Sequence, residues 1–375
     1  MITIATPPAP ARPASRDREL CLTLRPRSGE SLDDLFERLA DDLQGATLLK
    51  LMIFGTLGAG PAADDAMHRA LGEVDWPVSW LEGGSCHGHP VAGLHAFALT
   101  GGEVDRIQID GHVVGSVFQD AGARHCLLGG VVPRRRFPAR GDQTRQTLAQ
   151  LEGNLAQAGF ALGDLVRTWF YLDDILAWYD EFNRVRTEIY SGIRFRTGSL
   201  PASTGIGARN PRETALLLGA RAMQPLDAAA PAREIGSPLQ CPAPAYGSSF
   251  SRAMEIPADD RRLLTISGTA SIAPAGATLW PGNIHKQVNL TMEIVAAILQ
   301  SRGASLAEIT RAVAYFKDPT DVHVFTNWCA DNGLAEMPVI CTHGTVCRHD
   351  LLFELEADAI LDAVPASERN GTVTR

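Results

Sequence analysis

The chain has no uninterrupted apolar run of membrane-spanning length, which excludes a transmembrane helix. Its first residues, MITIATPPAPARPASRDRE, lack both the basic start and the apolar stretch of a secretory signal, so the expected compartment is the cytoplasm. Positive charge is scarce: the net charge is -9, which argues against a general nucleic-acid surface. An anionic substrate therefore needs a local basic pocket acting against the overall field. The seven cysteines (Cys21, Cys86, Cys126, Cys241, Cys329, Cys341 and Cys347) are odd in number and include no Cys-x-x-Cys pair, a pattern of reduced thiols rather than a disulfide framework. Cys341, His343, Cys347 and His349 share strand parity in CTHGTVCRH. Along one extended strand they span more than a zinc coordination sphere unless Gly344 folds the segment back, so no metal is expected. The Gly-rich GTLGAG at residues 55–60 lacks the Lys-Ser or Lys-Thr ending of a phosphate-binding loop. A Gly-x-Ser-x-Gly elbow is also missing, and nothing in the sequence demands a cofactor.

With 375 residues, 45% of them hydrophobic and 21% charged, the chain can build two or three domains with substantial cores. An internal repeat organises it. QTRQTLAQLEGNLAQAGFALGDLVRTWFYLDD, from Gln143, lies without gaps over QVNLTMEIVAAILQSRGASLAEITRAVAYFKD, from Gln287. Thr147 meets Thr291, Leu155 meets Leu299, Gly159 meets Gly303, Arg167 meets Arg311 and Tyr171 meets Tyr315. Each copy reads as an amphipathic helix ended by Gly, a short turn, a strand and a second helix. Strand-rich sequence precedes the copy, and a Pro and a closing strand follow it, giving a unit of two strands, helix, strand, helix, strand. A fainter copy begins at SLDDLFERLADDLQGATLLKLMIFGT. The expected organisation is a tail (1–18), a degenerate unit (19–105), a middle unit (106–225), a linker (226–240), a last unit (241–365) and a second tail (366–375). Three such units in one chain can close around a pseudo-threefold axis as a monomer.

Two asymmetries between the clear copies point to chemistry. In CRHDLLFELEADAI, residues 347–360, Glu354 and Glu356 share a strand face. Laid over ETALLLGARAM, this segment sets Leu218 opposite Glu354, so the face is covered in the middle unit, and Glu354 is expected to be a buried carboxylate. Glu356, nearer the strand end, is expected at the surface. In WYDEFNRVRTEIY, Trp178, Phe182, Val185 and Ile189 form a core stripe, with Tyr179, Asn183, Arg186 and Tyr190 beside it. The last unit has His323 and Ala330 where the middle unit has Tyr179 and Arg186. A guanidinium and a phenol two helical turns apart can hold a carboxylate and a ring hydroxyl, although an arginine lying over aromatic surface would show the same spacing. Arg311, matched by Arg167, is expected to serve structure in both units.

The order of elements resembles the YjgF/RidA superfamily, whose single-domain members are trimers with sites between neighbours. RidA proteins grip a carboxylate with an Arg just after Pro-Ala. Here Ser203 in LPAST and Ile340 in MPVIC stand at that place, which weakens an imine-deaminase assignment. The longer stretches WFYLDDILAWYDEFNRVR, LPASTGIGARNP, CPAPAYGSSFSRAMEI and CRHDLLFELEADAI are similar to chorismatases, RidA relatives that convert chorismate to pyruvate and a hydroxybenzoate or a dihydroxycyclohexadiene carboxylate. The resemblance implies an α/β fold of RidA-like units with pseudo-threefold symmetry and chorismate as the small-molecule substrate. It implies Glu354 as the essential acid and Tyr179 and Arg186 as substrate-binding residues, with Tyr246 and Arg252 as weaker candidates. Cys347 has opposite parity to Glu354 along a regular strand and would then be a packing residue. A turn or bulge at Arg348-His349-Asp350 would bring the thiol to the acid's side. Such a thiol would limit ordered water and favour 3-hydroxybenzoate over 4-hydroxybenzoate or the diol. A RidA-type deaminase and a non-catalytic metabolite binder are the alternatives.

Overall fold

Leu148, Leu151 and Leu155 recur at helical spacing and are buried in α3 (Arg140–Gln157), and Val288, Met292, Val295 and Leu299 do the same in α5 (Ile284–Gln300). Gly159 and Gly303 follow these helices with φ of 73° and 75°, the left-handed conformation that glycine adopts at little cost. The computed structural model describes residues 18–363 apart from 121, 136, 227–230 and 259. The tails expected at 1–18 and 366–375 fall outside the described residues, except for Arg18, which opens the first strand.

Three sheets result. The first contains β1 (Arg18–Leu24), β2 (Thr47–Gly55), β3 (Val78–Glu82) and β4 (Val91–Thr100), in the order β1-β4-β2-β3, with α1 (Leu32–Leu43) and α2 (Gly60–Leu71). The second contains β5 (Val104–Ile109), β6 (His112–Gln119), β7 (Ala123–Val131), β8 (Leu165–Leu172), β9 (Ala202–Gly207) and β10 (Leu216–Pro225), with α3 and α4 (Tyr179–Ser191). Its order is β5-β6-β7-β10-β8-β9. The third contains β11 (Arg233–Ile235), β12 (Ala253–Pro257), β13 (Arg261–Ala270), β14 (Ile309–Phe316), β15 (Val339–His343) and β16 (Phe353–Asp362), with α5 and α6 (Val322–Asp331). The order β11-β12-β13-β16-β14-β15 repeats that of the second sheet.

The second helix of each unit connects a parallel strand pair, β2 with β3, β8 with β9 and β14 with β15. The last strand then returns antiparallel to the sheet centre, so the unit has one more closing strand than the sequence pattern revealed. The segment expected as a linker, 226–240, also carries β11, which pairs with β12 and belongs to the third sheet.

Helices cover one face of each sheet, and the other faces meet. Phe54, Tyr171 and Tyr315, one from each sheet, form a triangle. Phe54 lies 6.2 Å from each tyrosine ring, and the two phenol oxygens are 3.3 Å apart. Four residues earlier on the same strands stand Lys50, Arg167 and Arg311, whose charged groups lie 4.3, 5.0 and 5.7 Å from the Trp169 ring. Lys50 and Phe54 of the first sheet thus stand beside the residues that the other two copies of the repeat share.

Glu356 departs from expectation. It is fully buried, not superficial. Its carboxylate accepts from Arg167 Nη2 at 2.8 Å, Arg311 Nη1 at 2.9 Å and Thr204 Oγ1 at 2.5 Å. Arg311 Nε also donates to Asp358 at 2.6 Å. Strand parity put Glu356 on the correct face, but it could not show that two other units cover that face. Register also corrects the strand alignment. Tyr171 pairs with Leu217 and Tyr315 with Glu354, so the counterpart of Glu354 is Leu217, not Leu218. Leu217 is buried among the inner-face residues, so coverage of that face still holds. Replacing Glu356 by Ala leaves two buried guanidiniums without their shared carboxylate. The denaturant midpoint should fall by an amount equivalent to about 3–5 kcal/mol, and an unchanged midpoint would refute the structural role given to this triad.

Candidate functional site

The second and third sheets meet where β9 approaches β13, and the side chains singled out in the sequence gather there from both units. From the middle unit come Tyr179 and Arg186. Tyr179 stacks on Phe182 at 6.0 Å, one ring of the helix's core stripe. Gly205 of β9 lies beside it: a Cβ there would sit in ordinary contact with the Tyr179 ring, at 3.7 Å. Arg186 is 1% exposed and lies over Phe170 and Phe182, at 5.6 and 5.0 Å. Its Nη2 donates to Asn183 at 2.7 Å, and its Nη1 lies 3.5 Å from Ser203 Oγ. A guanidinium therefore reaches Ser203 from the helix, at the place where the RidA pattern would supply one from the strand.

From the last unit come Glu354, Cys347, Tyr246 and Arg252. Glu354 lies on β16, 5% exposed, facing Gly268 of β13. A Cβ on Gly268 would collide with Oε1 of Glu354, so the glycine is a recess for the carboxyl group. Burial raises the Glu354 pKa to about 8, and the charge of Glu356, two residues along the same face, adds to this. Arg167 and Arg252 oppose the shift without cancelling it.

The segment from Gly344 to Leu352 leaves the strand and turns before β16 begins, so strand parity does not apply to Cys347. Cys347 is close enough to Glu354 and Tyr179 for the carboxyl charge and the phenol to act on its thiol. Burial, with Glu354 next, pushes it up to about 12, so it is a neutral thiol rather than a nucleophilic thiolate. Burial likewise raises Tyr179 above the usual phenol range, followed by the effect of Cys347, which keeps its hydroxyl as a donor. Arg252 is 3% exposed and gives two hydrogen bonds to the Cys241 carbonyl, at 3.0 and 2.9 Å. It lies 5.3 Å from the Tyr246 ring, with Arg348 at 5.6 Å from the same ring.

Sequence reasoning missed three residues. Gly268 sits in LLTISGTA, where it reads only as a strand-end glycine. Thr204 bonds both Glu356 and the Gly268 N–H, the latter at 3.1 Å, and so ties the two units together beside the acid. Arg348 looked like part of an ordinary polar turn. No group of three or more His, Cys, Asp or Glu side chains among the described residues could hold a metal ion. No described helix is long and apolar enough to cross a membrane.

Residues 242–361 match the family model described as Endoribonuclease L-PSP. The chain is 29% identical over 245 residues to a chorismatase of Streptomyces rapamycinicus, covering 59% of this chain and 72% of that one. It is 24% identical over 303 residues to a 3-hydroxybenzoate synthase of Streptomyces hygroscopicus, covering 72% and 85% respectively. Its fold matches a chorismatase crystal structure with a TM-score of 0.65 at 19% identity, over 91% of this chain and 98% of the other.

Glu354 holds a proton in the folded state that it releases when unfolded. Its contribution therefore lowers stability progressively as pH rises from about 4.5 to about 8, and is constant outside that window. Glu354→Gln should raise the denaturation midpoint more at pH 8 than at pH 5, measured by chemical denaturation at both values. An equal change at the two would show that the carboxyl titrates normally.

Proposed function

We propose that this chain, a member of the chorismatase family within the YjgF/RidA-like superfamily, converts chorismate to pyruvate and a hydroxybenzoate in the site between its middle and last units. The observation that carries the reading is Glu354: a carboxyl group recessed against Gly268, nearly closed off from water and held protonated near neutral pH. A neutral carboxylic acid is what protonation of an enol ether calls for.

Glu354 gives its proton to the methylene carbon of the enolpyruvyl ether, and positive charge develops at the ether carbon. The conjugate base, close to the charge of Glu356, is a poor place to leave a proton deficit, which favours transfer back as the product forms. Capture of the cationic carbon by the neighbouring ring hydroxyl, followed by release of pyruvate, leaves the hydroxybenzoate without consuming water. Capture by a water molecule gives the dihydroxycyclohexadiene carboxylate instead. Chorismate carries two carboxylates, and guanidiniums stand on both walls, Arg186 on one and Arg252 and Arg348 on the other. Tyr179, kept as a phenol between Cys347 and Asn183, is suited to a ring hydroxyl, and Tyr246 offers a ring face beside the two arginines. The Cys347 thiol is a weak hydrogen-bonding group next to the acid, and it leaves little to order a water. That supports 3-hydroxybenzoate as the main product.

Incubating the pure chain with chorismate and assaying pyruvate tests the reading, and no pyruvate would refute it. Glu354→Gln should lower turnover by roughly 10²–10⁴-fold in a folded protein. Wild-type activity should fall as pH rises through about 8, where Glu354 loses its proton. Cys347→Ala should keep turnover and move the product ratio towards the diol, as read by chromatography. An unchanged ratio would reduce the thiol to a packing group.

A further inference from the structure

The three units are joined in series, first to middle and middle to last, so the chain does not pass directly between the first unit and the last. Where these two meet, the chain leaving β3 runs along β15, an edge strand of the third sheet. Ser85 and Thr342 form an antiparallel bridge, and the His343 N–H donates to the Gly84 carbonyl at 3.3 Å. Gly83 permits the approach, since a Cβ there would collide with the Thr342 hydroxyl.

One step further in the same register, Cys86 stands opposite Cys341. Opposed residues of an antiparallel pair share a face, with Cα atoms about 4.5–5.5 Å apart, inside the roughly 4.4–6.8 Å that a disulfide spans. Both side chains pack against the same core cluster of the last unit. Burial holds the Cys341 thiol above its ordinary range, and Cys86 is close enough to add to that shift. Both thiols are free and half-buried, and Cys86 adjoins the exposed His87 and Gly88, which gives a small reagent access. Cys21 faces Phe97, and Cys126 faces Val117 and Ala222, so these strand cysteines have no such partner. Cys329, buried on α6, also acts on Cys341 and is the competing thiol.

We propose that Cys86 and Cys341 are a redox modification site, closed by a small-molecule disulfide such as oxidised glutathione into a clasp between the first and last units. The Cys86 thiolate attacks one glutathione sulfur, a mixed disulfide forms, and one glutathione leaves as thiolate. The Cys341 thiolate then attacks the Cys86 sulfur and releases the second. Two protein thiols are oxidised, one glutathione disulfide is reduced to two thiols, and the two cysteine protons pass to them. The bond turns a serial arrangement into a closed ring, and by joining residues far apart in the chain it restricts the unfolded state strongly. It also anchors β15, whose chain continues through Gly344 to Cys347.

The test incubates the full chain with oxidised glutathione at about pH 8, where more thiol is ionised than at neutrality, blocks the remaining thiols with iodoacetamide and digests without reduction. Mass spectrometry should find the peptide of Cys86 joined to that of Cys341, two hydrogens lighter than their sum, and dithiothreitol should separate them. The thermal midpoint should rise by several degrees on oxidation and return on reduction. Cys86→Ser, in a half-buried segment outside the sheets, should lose both the linked peptide and the rise, whereas Cys329→Ser should keep both. Glutathione attached to Cys86 with no linked peptide would overturn the proposal. So would a bond between Cys329 and Cys341 in its place, or an equal rise in the Cys86→Ser chain.

Discussion

Glu356 joins arginines from two units. Arg311 approaches from its own sheet and Arg167 from the neighbouring one, and each needs this carboxylate because neither can reach water. An unpaired guanidinium at that depth would cost several kcal/mol, so the triad allows the inner faces to meet only in the observed register. Lys50 completes the ring of cations from the first sheet and lies over Trp169. Burial, followed by the charge of Arg311, lowers its pKa to about 7, so the junction is crowded with cations to the limit of what its carboxylates can balance.

The same strand shows how the site derives from that junction. Glu354 and Glu356 are chemically identical, share a face and differ by two positions, yet their surroundings separate them. Glu356 has both oxygens engaged by cations and a hydroxyl. Glu354 faces a glycine, and no hydrogen bond among the described residues offsets its burial. The ionised neighbour makes a second negative charge harder to form. A structural ion pair thereby helps to keep the adjacent acid protonated, and Thr204, which touches both Glu356 and the backbone of Gly268, keeps the two in step.

How much could be read without coordinates depended on how local each signal was. Arg167 with Arg311 and Tyr171 with Tyr315 recur because the inner faces repeat, so the units were visible in the chain. The first copy was faint because Lys50 and Phe54 replace those residues with different side chains that do the same spatial work. Glu354 was legible through the covered face of its counterpart strand, but the register was not. Ala215, Leu216, Leu217 and Leu218 are all apolar, so alternation has no phase there, and a slip of one residue leaves no trace in the pattern. Glu356 was illegible as a buried group because its two arginines are 45 and 189 residues away in the chain. Gly268 carries no side chain, and its importance exists only in the space it leaves.

The positions paired with Phe54, Tyr171 and Tyr315 are Gly93, Leu217 and Glu354. Three identical chains assembled in this way would have to carry the same residue at all three. An acid there would bring three recessed carboxyl groups into one assembly, each unpaired and each weakening the fold. Joining the units in a single chain removes that constraint. Gly93 and Leu217 are free to be chosen for packing, and the destabilising group is carried once, so loss of symmetry at a single position sets the thermodynamic burden of the site at a third of what a true trimer would bear.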